Sequence, residues 1–262
     1  MKRIFALILA LLLLCTLVAC DEEQNGDNDD DVNMTVENND KIYTVEGDHF
    51  AYEYIHGDEV AIVGFDADDT PHAIKIPSVI DDRPVTKINA RAFYHMTNIT
   101  EVVIPEGIEE IGDQAFADCT ALTAVSMPST LTSIGQAAFT RCALVSVEIP
   151  TAVTQMGDKM FFDCEKLTSI KLPEAVKTIG EYMFMNCASL QTVNWSTQLE
   201  KIDKFAFFGC TELEVASFPT TVTLIGDYAF ANCLKVTAPA SHLNAFKDSE
   251  NPFYKMPQPS AE

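Results

Sequence analysis

The chain is short of positive charge. Across 262 residues, 17 Lys and Arg stand against 39 Asp and Glu, for a formal net charge of −22. No basic stripe exists to displace counterions from phosphates, which excludes the usual surface of a DNA- or RNA-binding protein. The same deficit argues against docking onto anionic lipid through protein charge. Histidine is sparse too: His49, His56, His72, His95 and His242 are scattered, none of them paired at ligand spacing. Gly-x-Ser-x-Gly, a phosphate-cradling glycine loop and His-Glu-x-x-His are all missing. The chain therefore reads as a non-enzyme without metal or cofactor. Apolar material is plentiful, at 47% hydrophobic residues, enough for a real core.

The N-terminus carries an address. Met1-Lys2-Arg3 is a short basic segment, followed by an apolar run from Ile4 to Val18. That run is short for a membrane span and suits the hydrophobic region of a signal peptide. It ends in Leu17-Val18-Ala19-Cys20, which resembles the lipobox of bacterial lipoproteins. The resemblance implies cleavage between Ala19 and Cys20, and a diacylglycerol on the Cys20 thiol as the only membrane attachment. The other reading is an ordinary cleaved signal with an incidental cysteine. Acyl chains contribute about 0.8 kcal/mol per buried methylene, so two or three hold a protein firmly. Residues 1–19 are thus the expected leader, and residues 20–40 a lipidated cysteine with an acidic tether.

Between Asp21 and Asp40 there are nine acids and no Lys or Arg. Such a stretch cannot bury enough surface to fold and repels itself into an extended linker. An acidic run after the lipidated cysteine also resembles the export signal that sends some lipoproteins to the outer surface; a plain solvated spacer is the alternative. Asp27-x-Asp29-x-Asp31 hints at a calcium loop, but Val32 stands where that loop needs glycine, and its twelfth position has no Glu.

The body is one repeat. Phe93, Phe116, Phe139, Phe161, Phe184, Phe207 and Phe230 follow one another at 23, 23, 22, 23, 23 and 23 residues. An apolar residue stands five before each: Ile88, Ile111, Ile134, Met156, Ile179, Ile202 and Ile225. The short interval reflects one deletion, since Cys142-Ala143-Leu144 replaces the longer pattern Cys119-Thr120-Ala121-Leu122. A period of this length with Leu-x-x-Val-x-Ile strands is the signature of a leucine-rich solenoid. Proline closes most strands, at Pro105, Pro128, Pro150, Pro173 and Pro219. The position after each Ile holds only Gly, Asn or Asp, residues that tolerate positive φ or cap a helix. Acids follow at Asp113, Asp158, Glu181 and Asp227, where they would favour a helix dipole.

The expected fold is therefore an α/β repeat, a leucine-rich-repeat solenoid of about seven 22–23-residue rungs, each a strand plus a short helix. Residues 74–236 hold the repeats. Residues 41–73, with two strands around His56-Gly57-Asp58, are expected as an N-terminal β-hairpin cap. Residues 237–262 are expected as a C-terminal helical cap and tail, on Leu243–Lys247 with Phe253 and Tyr254.

The pattern Ile-Gly-x-x-Ala-Phe-x-x-Cys-x-x-Leu-x-x-Val-x-Ile-Pro resembles the BspA-like leucine-rich repeats of bacterial surface proteins, over about residues 74–248. Departures are local: Ser196 replaces a strand-ending proline, Met96 replaces the first rung's cysteine, and Val215-Ala216 weakens the sixth strand. The resemblance implies a surface protein that binds extracellular-matrix or other host proteins. An envelope or nutrient-acquisition accessory, binding a glycan, peptide or partner lipoprotein, is the alternative. The chain is expected to be a monomer, lipid-anchored to the cell envelope in the outer membrane and surface-exposed, with an extracellular or envelope protein as partner and no nucleic acid; a chain facing the periplasm would fit the alternative.

Six cysteines, Cys119, Cys142, Cys164, Cys187, Cys210 and Cys233, each stand three residues after a repeat Phe. They read as a stacked ladder of buried thiols, with disulfides between neighbouring rungs or a metal site as alternatives. In-register stacking points adjacent Cβ atoms the same way, which suits disulfide torsion poorly. The strand residues that alternate with the core face outward. They give a candidate concave binding face of Glu101, Val103, Ser126, Ser146, Glu148, Ser169, Lys171, Thr192, Asn194 and Ser217, together with Ala124 and Val215. The stripe is small and polar and holds no aromatic ladder for sugar rings. Trp195 falls in the inward register.

Overall fold

A computed structural model describes residues 43–44, 49–65, 72–215 and 217–236. The expected leader, the acidic tether with Cys20, and the C-terminal cap lie outside these residues. The strands run β1 (Tyr43–Thr44), β2 (Phe50–Ile55), β3 (Glu59–Phe65), β4 (Ala73–Lys75), β5 (Val79–Ile80) and β6 (Arg83–Ile88). The repeats continue with β7 (Glu101–Val103), β8 (Glu110–Ile111), β9 (Ala124–Ser126), β10 (Ser133–Ile134), β11 (Ser146–Glu148) and β12 (Gln155–Met156). They end with β13 (Ser169–Lys171), β14 (Thr178–Ile179), β15 (Thr192–Asn194), β16 (Lys201–Ile202) and β17 (Leu224–Ile225).

Most rungs offer one three-residue and one two-residue strand to their neighbours, so two parallel ladders climb the solenoid. The first pairs β4-β7-β9 and, separately, β11-β13-β15. It breaks between β9 and β11, where the one-residue deletion has shortened the connection. The second pairs β6-β8-β10-β12 and, separately, β14-β16-β17. Strands stay short because the apolar residues that enter the core are followed at once by proline, which cannot donate to a ladder. At Ser196 the hydroxyl takes over part of that role. It is fully buried, donates to the Glu174 carbonyl at 2.8 Å and accepts from the Gln198 amide at 3.1 Å.

The third side of each rung is not a helix, and no helix occurs among the described residues. Two residues per rung take left-handed backbone: Arg91 and His95, Gln114 and Asp118, Ala137 and Arg141, then the same pair at every repeat to Tyr228 and Asn232. A left-handed residue every fourth position breaks the helical hydrogen-bond pattern. Alternate amides turn instead to the next rung: Phe93 N–H donates to Ala115 O at 2.8 Å, and His95 N–H to Ala117 O at 2.8 Å. The amides between them close local turns, as in Tyr94 to Arg91 at 3.0 Å. The acids expected at helix starts also bridge rungs, Asp113 Oδ1 accepting Gln136 N–H and Asp158 Oδ1 accepting Glu181 N–H.

The glycine column has a different cause from the one its sequence suggested. Gly112 and Gly226 have no positive φ. A Cβ on Gly112 would lie 2.5 Å from the Ala90 amide nitrogen of the rung before it, and one on Gly226 would lie 2.5 Å from Lys204 N. Glycine is required by close stacking of backbone on backbone.

The core is columnar. The seven repeat phenylalanines are fully buried and stack almost parallel, from 4.9 Å and 5° between Phe93 and Phe116 to 5.2 Å and 6° between Phe207 and Phe230. The widest step, 5.9 Å between Phe139 and Phe161, spans the deletion. The antiparallel hairpin β2–β3 adds to the second ladder through β3 and β6, and brings Phe50 and Phe65 against Phe93. A two-residue turn, Asp81-Asp82, both at positive φ, joins β5 to β6. Its Asp81 Oδ2 accepts both the Tyr52 and Tyr54 hydroxyls, at 2.6 and 2.7 Å, which holds the carboxyl below its usual range.

Candidate binding surfaces

The first ladder carries the residues expected to face outward. Register places Ser146, Ser169 and Thr192 side by side, and Glu148, Lys171 and Asn194 beside them. Glu101 aligns with Ala124, and Val103 with Ser126. Glu101, Ser126, Ser146, Glu148, Lys171, Thr192 and Asn194 are exposed, and Val103 and Ser169 are half-buried. The ladder break divides the face into two three-strand patches. Ser217 is exposed but belongs to no strand. Val215 is buried in the core, so the seventh rung does not continue the outward register. Trp195 packs edge-on against Phe207 and Phe218, each at 5.7 Å, and is half-buried.

A second surface was hidden from sequence reading. A groove of about 1090 Å³ runs along the second ladder from Lys87 to Thr178, across five rungs. Its floor is the glycine column, Gly112, Gly135 and Gly157. One wall is the outward residues of the two-residue strands, including Glu110, Ser133 and Gln155; the other holds Asp113, Gln136 and Asp158. The lining contains no aromatic side chain. Lys87 pairs with Glu110 at 3.0 Å, and Lys177 with Glu200 at 2.9 Å. No motif marks the groove; the glycine spacing along its lining was its only signal.

Aromatics do stack outside the core, on the arcs. Tyr182, Phe205 and Tyr228, each two residues before a repeat Phe, sit face to face at 5.2 Å. Lys159 lies over the open side of Tyr182, 5.3 Å from its centroid. Because the faces cover one another, the stack offers ring edges rather than a platform for a sugar.

The six repeat cysteines are free and buried. Each thiol donates to the carbonyl of the Phe one rung earlier, Cys119 to Phe93 at 3.1 Å and so on to Cys233 and Phe207 at 3.0 Å. That carbonyl already accepts its own rung's i+3 amide, as Phe161 O does from Cys164 N–H at 3.2 Å. Burial pushes Cys119, Cys164 and Cys233 up to about 12, and the other three well above the ordinary thiol value. These are inert packing thiols. Among the described residues no group of three or more His, Cys, Asp or Glu could hold a metal ion.

The stacked rungs, paired ladders and phenylalanine column define a leucine-rich-repeat solenoid of about seven turns. A family model for the BspA type leucine rich repeat region matches residues 86–196 and 132–255, in six copies, and the chain belongs to that family. It is similar to the crystal structure of the T. pallidum leucine rich repeat protein, with TM-score 0.70 and 27% identity over 82% of this chain and 98% of that one. It is also similar to a leucine rich cell surface protein from Faecalibacterium prausnitzii, with TM-score 0.68 and 30% identity, covering 76% of this chain and 54% of that one. A leucine-rich repeat protein from Bacteroides ovatus gives TM-score 0.58 and 27% identity over 74% of this chain and 58% of that one. No curated protein matches the sequence.

Proposed function

We propose that this chain is a non-catalytic cell-surface lipoprotein that uses its solenoid to bind proteins, in adhesion to a host or its matrix. The observation that carries the reading is the surface chemistry. Both open faces of the repeats are polar and lack aromatics, which fits an extended protein partner better than a glycan platform. Family membership and the likeness to a cell surface protein support display on the cell surface. Leu17-Val18-Ala19-Cys20 supports a lipid anchor on Cys20, and the acidic segment to Asp40 would serve as its spacer.

Attachment of the producing bacterium to immobilised matrix protein, with and without the gene, tests this reading. Loss of attachment on deletion and its return on complementation are the expected result. A Cys20→Ala form should fail to restore it, being released from the membrane. Unchanged attachment in the deletion strain would overturn adhesion.

A further inference from the structure

The geometry points to the glycine-floored groove of the second ladder as the docking site for an extended, basic polypeptide segment of a partner protein. This rests on the interaction reading above and assigns it a site and a partner chemistry. Three observations converge.

The first is dimension. Four rung steps at ~4.8 Å give a trough of roughly 19 Å, room for about six residues of extended chain at ~3.3 Å each. Gly112, Gly135 and Gly157 line the trough, and the close approach of neighbouring rungs at Gly112 and Gly135 leaves no room for a Cβ between them.

The second is charge. Both lysines of the groove are already paired, with Glu110 and Glu200. Asp113 and Asp158 have no cation within ion-pair reach among the described residues. Each is held in place through Oδ1 by the next rung's amide, at 2.7 and 2.8 Å. Two fixed, uncompensated carboxylates two rungs apart, roughly 10 Å, fall between the ~6.6 and ~13 Å spacings of same-face side chains in an extended strand, a difference that flexible lysine stems can span.

The third is hydrogen-bonding capacity. Gly112, Gly135 and Gly157 each donate to the preceding rung's Ile carbonyl at 2.7–2.9 Å, but the corresponding bond from Gly180 to Met156 is not made. The bond from Lys177 N–H to Thr154 O, expected from Thr132 to Glu109, is also not made. The ladder therefore opens between β12 and β14, leaving the Lys177 N–H and the Thr154 carbonyl, on two residues that line the groove, without that bond. A peptide backbone can use these; an aromatic-free wall gives a sugar ring nothing to stack on.

Titrating the isotope-labelled protein with an octapeptide of alternating Lys and Ser tests the assignment, because alternation puts every lysine on one face. The expected result is movement of the Gly112, Gly135 and Gly157 amide resonances, with none from the matching Glu-Ser peptide. Asp113→Asn with Asp158→Asn keeps both amide acceptors and should weaken binding about tenfold, whereas Glu148→Gln on the other ladder should leave it unchanged. Shifts scattered over the acidic surface, no binding, or equal binding by the double variant would each overturn the proposal. So would spermine binding as tightly as the peptide, which would make the groove a site for small polycations. Wild-type shift mapping does not depend on the variants folding. A groove silent to the peptide alongside adhesion lost on gene deletion would sink this inference alone and return attention to the Glu148–Lys171–Asn194 face.

Discussion

At the scale of the residue, the unusual commitment is left-handed backbone twice per rung, at non-glycine positions everywhere but Gly209. Each such residue costs on the order of 1 kcal/mol, offset by an amide that bonds to the next rung. Ala137, at φ 55, makes the sharpest test because it has almost no side chain to lose. In a helix, Ala137→Gly would cost about 1 kcal/mol. In the left-handed position it should instead be neutral or stabilising by about 0.5–1 kcal/mol, read as an unchanged or raised melting temperature. The thiols give a second test. Their folded pKa is raised from 9.0 to about 12 for Cys119, Cys164 and Cys233, so the folded state holds these protons more tightly than the unfolded one. The stability they contribute is whole below about pH 9 and is lost as pH rises toward 12, at about 1.4 kcal/mol per pH unit per thiol. Thermal melts should decline steeply above pH 9, and less steeply for Cys187→Ser, which keeps a donor to Phe161 but does not titrate. Below that pH, a thiol reagent should label the repeat cysteines only after denaturant is added.

At the scale of the element, the rung is held by contacts repeated at constant height. Gly112→Ala should destabilise by about 2–4 kcal/mol, because its Cβ meets main chain that cannot step aside. Gly57→Ala, with open space around it and only a φ of +85 to oppose it, should cost about 1 kcal/mol. Denaturant melts of the two variants side by side check the difference. Much of the rung was legible in the sequence: Ile99, Val102 and Ile104 are buried where the repeat places them, and Phe93 through Phe230 form the expected column. The arc was not. Ala115-Phe116 after Gly112-Asp113 has the composition of a helix start, and nothing about Arg91, Ala137 or Phe205 announces positive φ. The conformation is imposed by the neighbouring rung, which takes the amide that a helix would have used. The groove escaped for a related reason, because it follows from how neighbouring rungs stack and where their ladder breaks rather than from any residue type.

At the scale of the whole molecule, the excess of acids sets both stability and association. With a net charge of −22 and only scattered surface ion pairs, such as Lys204 with Glu181 at 3.1 Å, self-repulsion should outweigh attraction. Added salt should therefore raise the melting temperature modestly, and slow the association of any basic partner. The same charge should disfavour nucleic acid and anionic lipid, and favour a basic polypeptide at a surface that presents fixed carboxylates.

A role in contact with a host requires the solenoid to face outward from the cell. Intact cells treated with a protease too large to enter, blotted for this protein beside a periplasmic control, answer that directly. Loss of the protein while the control survives is the predicted result. Protection until the cells are lysed would contradict surface display, and with it every role in contact with a host.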